Sequence, residues 1–378
     1  MTADGGWGLG AAAEPDGGNT EVPPEAGGGP LPSLACPVCG AERPLMVLDG
    51  VEFRDTRRER FRIVRCGSCD HLYTLPRPPA GALERYYPDT YYRGRQTGTR
   101  KIGSSRHRGL RERLARIALR QHFGYPGPTP HTLARRCLSW PVACWLQYGR
   151  RTLDAIPWAG SGELCDFGCG DGAFLRLCRR RGWTVCGVDF NEKVAHWARE
   201  RDGLEVVAGT WPGEALAGRR FDVITAWHVL EHLPDPAGWV RAAAGKLNPG
   251  GYLLVCCPDA GSWAFRAFGR DWYGLDVPRH ISHFTTRKLV ELLSGARLAV
   301  ERIRPQARRK TLHASARLRA ARTGSPLWRA LAASSLLWRP VARVTGWLGC
   351  ADGVMVIARK PRPPPPVITS PPELPAPS

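Results

Sequence analysis

Between residues 164 and 257 the chain alternates short continuous apolar runs with longer stretches whose apolar residues stand three or four apart. The runs Leu164 to Phe167, Thr184 to Phe190, Leu204 to Ala208, Phe221 to Ala226 and Tyr252 to Cys257 predict strands buried on both faces. Between them, Phe174, Leu177 and Cys178, and later Trp239, Val240, Ala243, Ala244 and Leu247, predict helices with one apolar face. The second of these runs into a Pro249-Gly250-Gly251 turn. Strands and helices alternating at this pitch predict an α/β fold, a mostly parallel sheet covered on both faces. Earlier in the chain, Val51, Phe53, Phe61 and Ile63 alternate with charged residues, and Val51 to Arg65 reads as a hairpin. Near the C-terminus, Leu337, Val341, Val344 and Leu348 recur at helical spacing beside Arg339 and Arg343, with Trp328, Trp338 and Trp347 close by. Base rates for amphipathic helices favour packing on the core; the alternative is peripheral contact with an anionic membrane.

The first strand runs into Gly168-Cys169-Gly170-Asp171-Gly172. Glycines at alternate positions let the backbone turn tightly and approach a ligand, and a side chain at any of them is expected to occupy the ligand's space. A pyrophosphate-binding turn spaces its glycines differently. Strict alternation after Asp166 suits a nucleoside with a cationic end and no phosphates, which is S-adenosylmethionine. Asp189 ends the next strand, about 20 residues on, where a carboxylate accepts hydrogen bonds from ribose hydroxyls. Its other reading is the N-cap of the helix that follows, a role Asn191 could fill instead.

Thirteen cysteines without an export signal do not read as a disulfide framework. Cys165, Cys178, Cys186, Cys256 and Cys257 sit in apolar runs and read as small core residues. Cys36-Pro37-Val38-Cys39 and Cys66-Gly67-Ser68-Cys69 are different: two such pairs predict a four-sulfur zinc site. Gly40 fits the turn-back of the first pair, and Asp70 stands at the same place after the second. Four protein ligands leave no open position, so this zinc is expected to be structural.

The formal charge is +20, from 54 lysines and arginines against 34 acidic residues. Arginine dominates and is spread through every segment, which argues against nucleic acid as the partner. The expected organisation is a disordered tail over 1–33, a zinc module over 34–80, a basic aromatic and helical connecting region over 81–150, the main domain over 151–360, and a Pro-rich tail over 361–378. With no signal sequence and no apolar stretch of about 18 residues, the expected location is cytoplasmic.

Taken in order, Asp166 to Gly172, Gly187-Val188-Asp189, Phe221-Asp222-Val223-Ile224, Val229 to Leu233, Leu247 to Gly251, Pro278-Arg279-His280 and His283-Phe284 resemble the class I S-adenosylmethionine-dependent methyltransferases. The resemblance is to a bacterial branch with an N-terminal four-cysteine module. It implies a Rossmann-like seven-stranded sheet whose last strand, Gly353 to Arg359, is antiparallel, with the cofactor over the carboxyl ends of the strands. It also implies an adenine contact around Thr210 and Trp211, although Gly209-Thr210 stands where many relatives have an acidic residue. Tyr86, Tyr87 and the segment after them would cover the cleft, or else form a solvated basic linker. The acceptor-side segment is 262–285.

Histidines suit the deprotonation of a hydroxyl acceptor. His228 and His232 after the fourth strand, and His280 and His283 after the fifth, all qualify by location. His232 and His280 rank first as base, His228 is assigned to the cofactor side, and Glu231 either orients a histidine or caps the next helix. Asp276 and Arg279 are candidates for acceptor hydroxyls or a phosphate. The expected activity is O-methylation of a small molecule or glycan. The alternatives are an RNA- or protein-directed methyltransferase and a non-catalytic nucleoside-binding protein.

Overall fold

The computed structural model describes residues 34–54, 59–78, 85–87, 106–127, 140–141, 156–209 and 216–363. Among these, the strands in chain order are β1 (Pro44–Val51), β2 (Arg60–Cys66), β3 (Leu72–Leu75), β4 (Glu163–Phe167), β5 (Thr184–Asp189), β6 (Glu205–Ala208), β7 (Phe221–Trp227), β8 (Leu247–Pro258), β9 (Ser282–His283), β10 (Ala299–Pro305) and β11 (Gly353–Arg359). The helices are α1 (Arg106–Phe123), α2 (Ala173–Arg179), α3 (Glu192–Asp202), α4 (Pro236–Lys246), α5 (Trp263–Phe268), α6 (Thr286–Gly295), α7 (Arg309–Thr323), α8 (Pro326–Leu331) and α9 (Arg339–Trp347).

Seven strands form one sheet in the order β6-β5-β4-β7-β8-β11-β10. Pairing is parallel from β6 through β8, while β11 runs antiparallel to both its neighbours. The continuous apolar runs have a direct cause: successive residues supply opposite faces of the sheet. Leu253, Val255 and Cys257 join the core on one side with Phe167, Trp239 and Leu289, while Leu254 and Cys256 join the core on the other with Leu119, Leu175 and Trp183.

Several boundaries differ from expectation. Leu247 closes α4 but already belongs to β8, which runs through the Pro-Gly-Gly stretch rather than starting after it. On α2 the buried residues are Leu175 and Cys178, so the inward face is rotated by about one position from the Leu177 reading. The hairpin begins at Pro44, and most of β1 is not buried, which leaves no alternation to read.

The second sheet is antiparallel, in the order β1-β2-β3-β9. Its fourth strand comes from the acceptor-side segment: Leu72 pairs with His283 and Tyr73 with Ser282, and the Thr74 amide donates to the Ile281 carbonyl at 2.9 Å. Buried ion pairs reinforce the junction. The Arg279 guanidinium, 1% exposed, donates to Glu52 at 2.5 Å and to Asp276 at 2.6 Å, and Arg54 grips Asp276 at 2.8 and 2.9 Å. The cysteine segment is thereby stitched to the loop that carries His280.

Candidate active site

The glycine turn leaves β4 at Phe167 and enters α2 at Ala173. Gly168, Gly170 and Gly172 hold φ of 71°, 54° and 69°, the left-handed region that favours glycine. The Gly168 and Cys169 amides donate to the Val188 carbonyl at 2.7 and 3.1 Å, which fixes the turn against β5. A Cβ on Gly168 would lie 2.3 Å from Cγ2 of Val229, and one on Gly172 2.5 Å from Cδ1 of Leu204. At these two positions an added Cβ meets the protein's own side chains.

Asp189 stands at the carboxyl end of β5. Its Oδ2 accepts from the Gly170 amide at 2.8 Å and its Oδ1 from the Asn191 amide at 3.0 Å. Asn191 is the N-cap of α3, accepting from the Val194 amide at 3.2 Å, so capping falls to it and not to Asp189. Asp166 is almost wholly buried and accepts from the Thr225 hydroxyl at 2.6 Å. Burial pushes its carboxyl up to about 8, against the Thr225 hydrogen bond and with the Asp189 charge adding to the rise. Two carboxyl groups beside an open-backbone turn suit a cationic nucleoside, whose charge would draw Asp166 to its ionised form. Thr210 lies outside the described residues.

The loop after β7 carries His228, Glu231 and His232. His228 adopts φ 57°, a conformation costly for a residue with a side chain and often found at functional sites. Its amide donates to the Cys256 carbonyl at 2.8 Å, and its Nδ1 lies 3.1 Å from Oε1 of Glu231. The other carboxylate oxygen of Glu231 is buried with no hydrogen-bond partner among the described residues. Asp235 caps α4, so Glu231 does not serve as that cap.

His232 Nδ1 lies 2.8 Å from the Arg279 carbonyl, and His280 Nδ1 lies 2.8 Å from the Gly274 carbonyl. A carbonyl only accepts, so in each neutral ring the proton sits on Nδ1 and the lone pair on Nε2. One ligand-capable atom from each of Glu231, His232 and His280 falls within 4.8 Å of the others. Burial, with His280 adding, lowers His232 to about 4. His280 is also lowered, by burial acting against the pull of Asp276 and Glu231.

His283 goes elsewhere. It lies in β9 with Nε2 2.9 Å from the Thr74 hydroxyl, and burial lowers it to about 3. Asp276 and Arg279 are held in the buried ion-pair network with Glu52 and Arg54. Sequence reading missed two side chains: the Tyr87 hydroxyl, 3.0 Å from His232 Nδ1, and Phe190, whose ring centroid is 5.9 Å from that of Tyr87. Tyr87 was named only as part of a covering segment, and nothing in its local pattern points to a histidine 145 residues away.

The four paired cysteines converge. Sγ of Cys36 is 3.7 Å from that of Cys69, Cys39 is 3.6 Å from Cys66, and all four sulfurs lie within 4.8 Å of one another. The two knuckles match in backbone: Gly40 donates to the Cys36 carbonyl with φ 75°, and Asp70 to the Cys66 carbonyl with φ 59°. All four thiols are free.

The profile of the methyltransferase-domain family matches residues 106–303, more than half of the chain. Curated relatives include two proteins named ubiquinone biosynthesis O-methyltransferase. That of Stutzerimonas stutzeri is 32% identical over 130 residues, covering 32% of this chain and 56% of its own length. That of Ralstonia nicotianae is 40% identical over 116 residues, covering 29% and 46%. The chain thus spans about half the length of these relatives. Among solved structures, an S-adenosylmethionine-dependent methyltransferase from Mesorhizobium loti is 20% identical, with 58% of this chain and 96% of that one covered and a TM-score of 0.40. One from Archaeoglobus fulgidus is 19% identical, with 60% and 94% covered and a TM-score of 0.38. The chain belongs to the methyltransferase-domain family, and its seven-stranded sheet with one antiparallel strand is the fold that the class I resemblance implies.

Proposed function

We propose that this methyltransferase O-methylates a small-molecule or glycan acceptor, with His232 receiving the hydroxyl proton and the four cysteines holding a structural zinc ion. The observation that carries the reading is the paired pinning of His232 and His280, whose Nδ1 atoms each face a backbone carbonyl and which each bring one ring nitrogen within 4.8 Å of a carboxylate oxygen of Glu231. The curated relatives' names, which specify O-methylation in ubiquinone biosynthesis, support a small-molecule hydroxyl.

S-adenosylmethionine supplies an already activated sulfonium methyl. Gly168, Gly170, Gly172, Asp166, Asp189 and His228 are assigned to its binding. With the methyl donor bound, Nε2 of His232 would take the acceptor's hydroxyl proton as the oxygen is methylated. Glu231 stabilises the resulting imidazolium, and the Tyr87 hydroxyl joins the Arg279 carbonyl at Nδ1 in holding the ring. Alignment of acceptor, carbon and sulfur with water excluded supplies on the order of 7–11 kcal/mol. For the cysteines, a tetrahedral ion with bonds of about 2.3 Å requires sulfur–sulfur edges of roughly 3.8 Å. The separations of 3.6 and 3.7 Å fit that requirement.

The test is turnover with labelled cofactor and a panel of phenolic and saccharide hydroxyls, across pH. A base lowered to about 4 stays neutral through the physiological range, so with S-adenosylmethionine saturating, which keeps Asp166 in its cofactor-bound state, kcat/KM for the acceptor should hold flat on the acid side until pH approaches 4. An acid limb near the ordinary 6.5 would assign the base to an exposed histidine. His232→Asn should lower kcat by about 10²–10⁴-fold and leave cofactor affinity intact. Full turnover by this variant, or activity that a chelator abolishes and a divalent cation restores without loss of zinc, would remove His232 from the role of base.

A further inference from the structure

Between Glu301 and Asp352 the chain carries ten arginines and no acidic residue. This stretch folds as α7, α8 and α9, inserted between the antiparallel strands β10 and β11. The orientation of α9 is set by Trp338, Ala342 and Thr345, which are buried; Trp338 and Ala342 pack with Phe268, Leu312 and Ala316. The expectation that this segment packs on the core holds for Trp328, Trp338 and Val341 and is corrected for Leu337, Val344 and Leu348. Leu337 points outward, as do Val344, Trp347 and Leu348, which are 52%, 86% and 62% exposed. These four recur at helical spacing on the face opposite Trp338 and Ala342, flanked by exposed Arg339 and Arg343.

A contiguous apolar stripe in water is unfavourable unless something covers it, and a helix with tryptophan on that stripe and arginines along its flanks suits the headgroup boundary of a bilayer. We propose that the outward face of α9, with Leu336 and Leu337 at its entry, lies on an anionic lipid surface. Charge selects this occupant. A second copy placed face to face would set Arg339 and Arg343 against the same arginines, whereas lipid phosphates neutralise them. The contact is peripheral, because among the described residues no helix is long and apolar enough to cross a membrane. Its effect is to hold the enzyme at the surface where amphipathic, lipid-embedded acceptors present their polar ends.

Flotation of the full chain with vesicles tests this. Phosphatidylcholine vesicles containing phosphatidylglycerol should carry the protein, and phosphatidylcholine alone should not. The double variant W347D/L348D should lose at least about tenfold in binding, and R339Q/R343Q a comparable amount, with added salt reproducing the arginine loss. Both pairs are exposed, so S-adenosylmethionine affinity should stay at the wild-type value and report that the variants are folded. If W347D/L348D does not fold, the single variant W347S gives the same reading at reduced amplitude. No flotation with the anionic vesicles would overturn the proposal, as would equal flotation of wild type and W347D/L348D. So would a wild-type dimer that this variant turns into monomer without a change in lipid binding, or RNA binding that R339Q/R343Q abolishes in the absence of lipid affinity.

Discussion

Gly168 shows what a glycine-rich turn constrains. Its φ of 71° excludes most side chains, and the space a Cβ would enter is already filled by Cγ2 of Val229 at 2.3 Å. Gly168→Ala is expected to cost about 3 kcal/mol, from left-handed strain and overpacking together. Adding Val229→Ala removes the overlap. Measured against Val229→Ala alone, the glycine substitution should then cost only about 1–2 kcal/mol and restore most of the cofactor affinity, with urea melts and calorimetry as the readouts. If stability recovers but affinity does not, the methyl group obstructs the ligand and not the protein. The same proximity of Val229 to the turn explains why the post-β7 loop is placed so tightly: its first turn is packed against the backbone of the glycine turn. Asp189 and Asn191 divide their duties on similarly local grounds, one aiming its carboxylate at the turn and the other capping α3.

At the scale of elements, the short strand β9 decides more than its two residues suggest. Its pairing with β3 takes His283 into the smaller sheet, while Arg279, just before it, places its carbonyl on His232 and its guanidinium between Glu52 and Asp276. Arg279→Met would take the shared guanidinium away from two buried carboxylates, Glu52 and Asp276, and should destabilise the protein by about 3–5 kcal/mol in urea unfolding. Adding Glu52→Gln should recover part of that loss. The activity readout separates position from stability: below the melting range kcat should fall because the loop that presents the residue-279 carbonyl to His232 loses its ion-pair tether, while cofactor affinity should not change. The long strands of the larger sheet were readable in the sequence because burial on both faces imposes continuous apolar runs, and the cysteine pairs because their spacing is local. The division between His280 and His283 was not readable, since a two-residue strand has no periodicity and its partner lies about two hundred residues earlier. The Glu52–Arg279 pair spans 227 residues and leaves no local trace, so Arg279 read as an acceptor ligand until its partners were in view.

For the whole molecule, the consequence of these junctions is that the cysteine centre and the cleft stand or fall together, while the nucleoside turn belongs to a different sheet. The four sulfurs fix the turns at Cys36–Cys39 and Cys66–Cys69, the second pair anchors the end of β2 and the approach to β3, and β3 holds β9. From β9 the backbone leads within two residues to His280, and the Ile281 amide donates to the Glu231 carbonyl at 2.8 Å. Removal of the proposed zinc with a strong chelator, or Cys39→Ser, is therefore expected to loosen the proposed acceptor side: the melting temperature drops by several degrees and kcat falls at least about tenfold. S-adenosylmethionine affinity should change much less, because Gly168, Asp189 and Asp166 are held by β4, β5 and β7. Metal analysis, thermal melts and calorimetry on one preparation would check all three. Full turnover after complete loss of the metal would show that β9 and the Arg279 network keep the cleft in shape without the sulfur cluster. A parallel loss of cofactor binding would show instead that the two sheets unfold as one cooperative unit, the outcome favoured if the shared Glu231–Ile281 contact transmits disorder across the cleft.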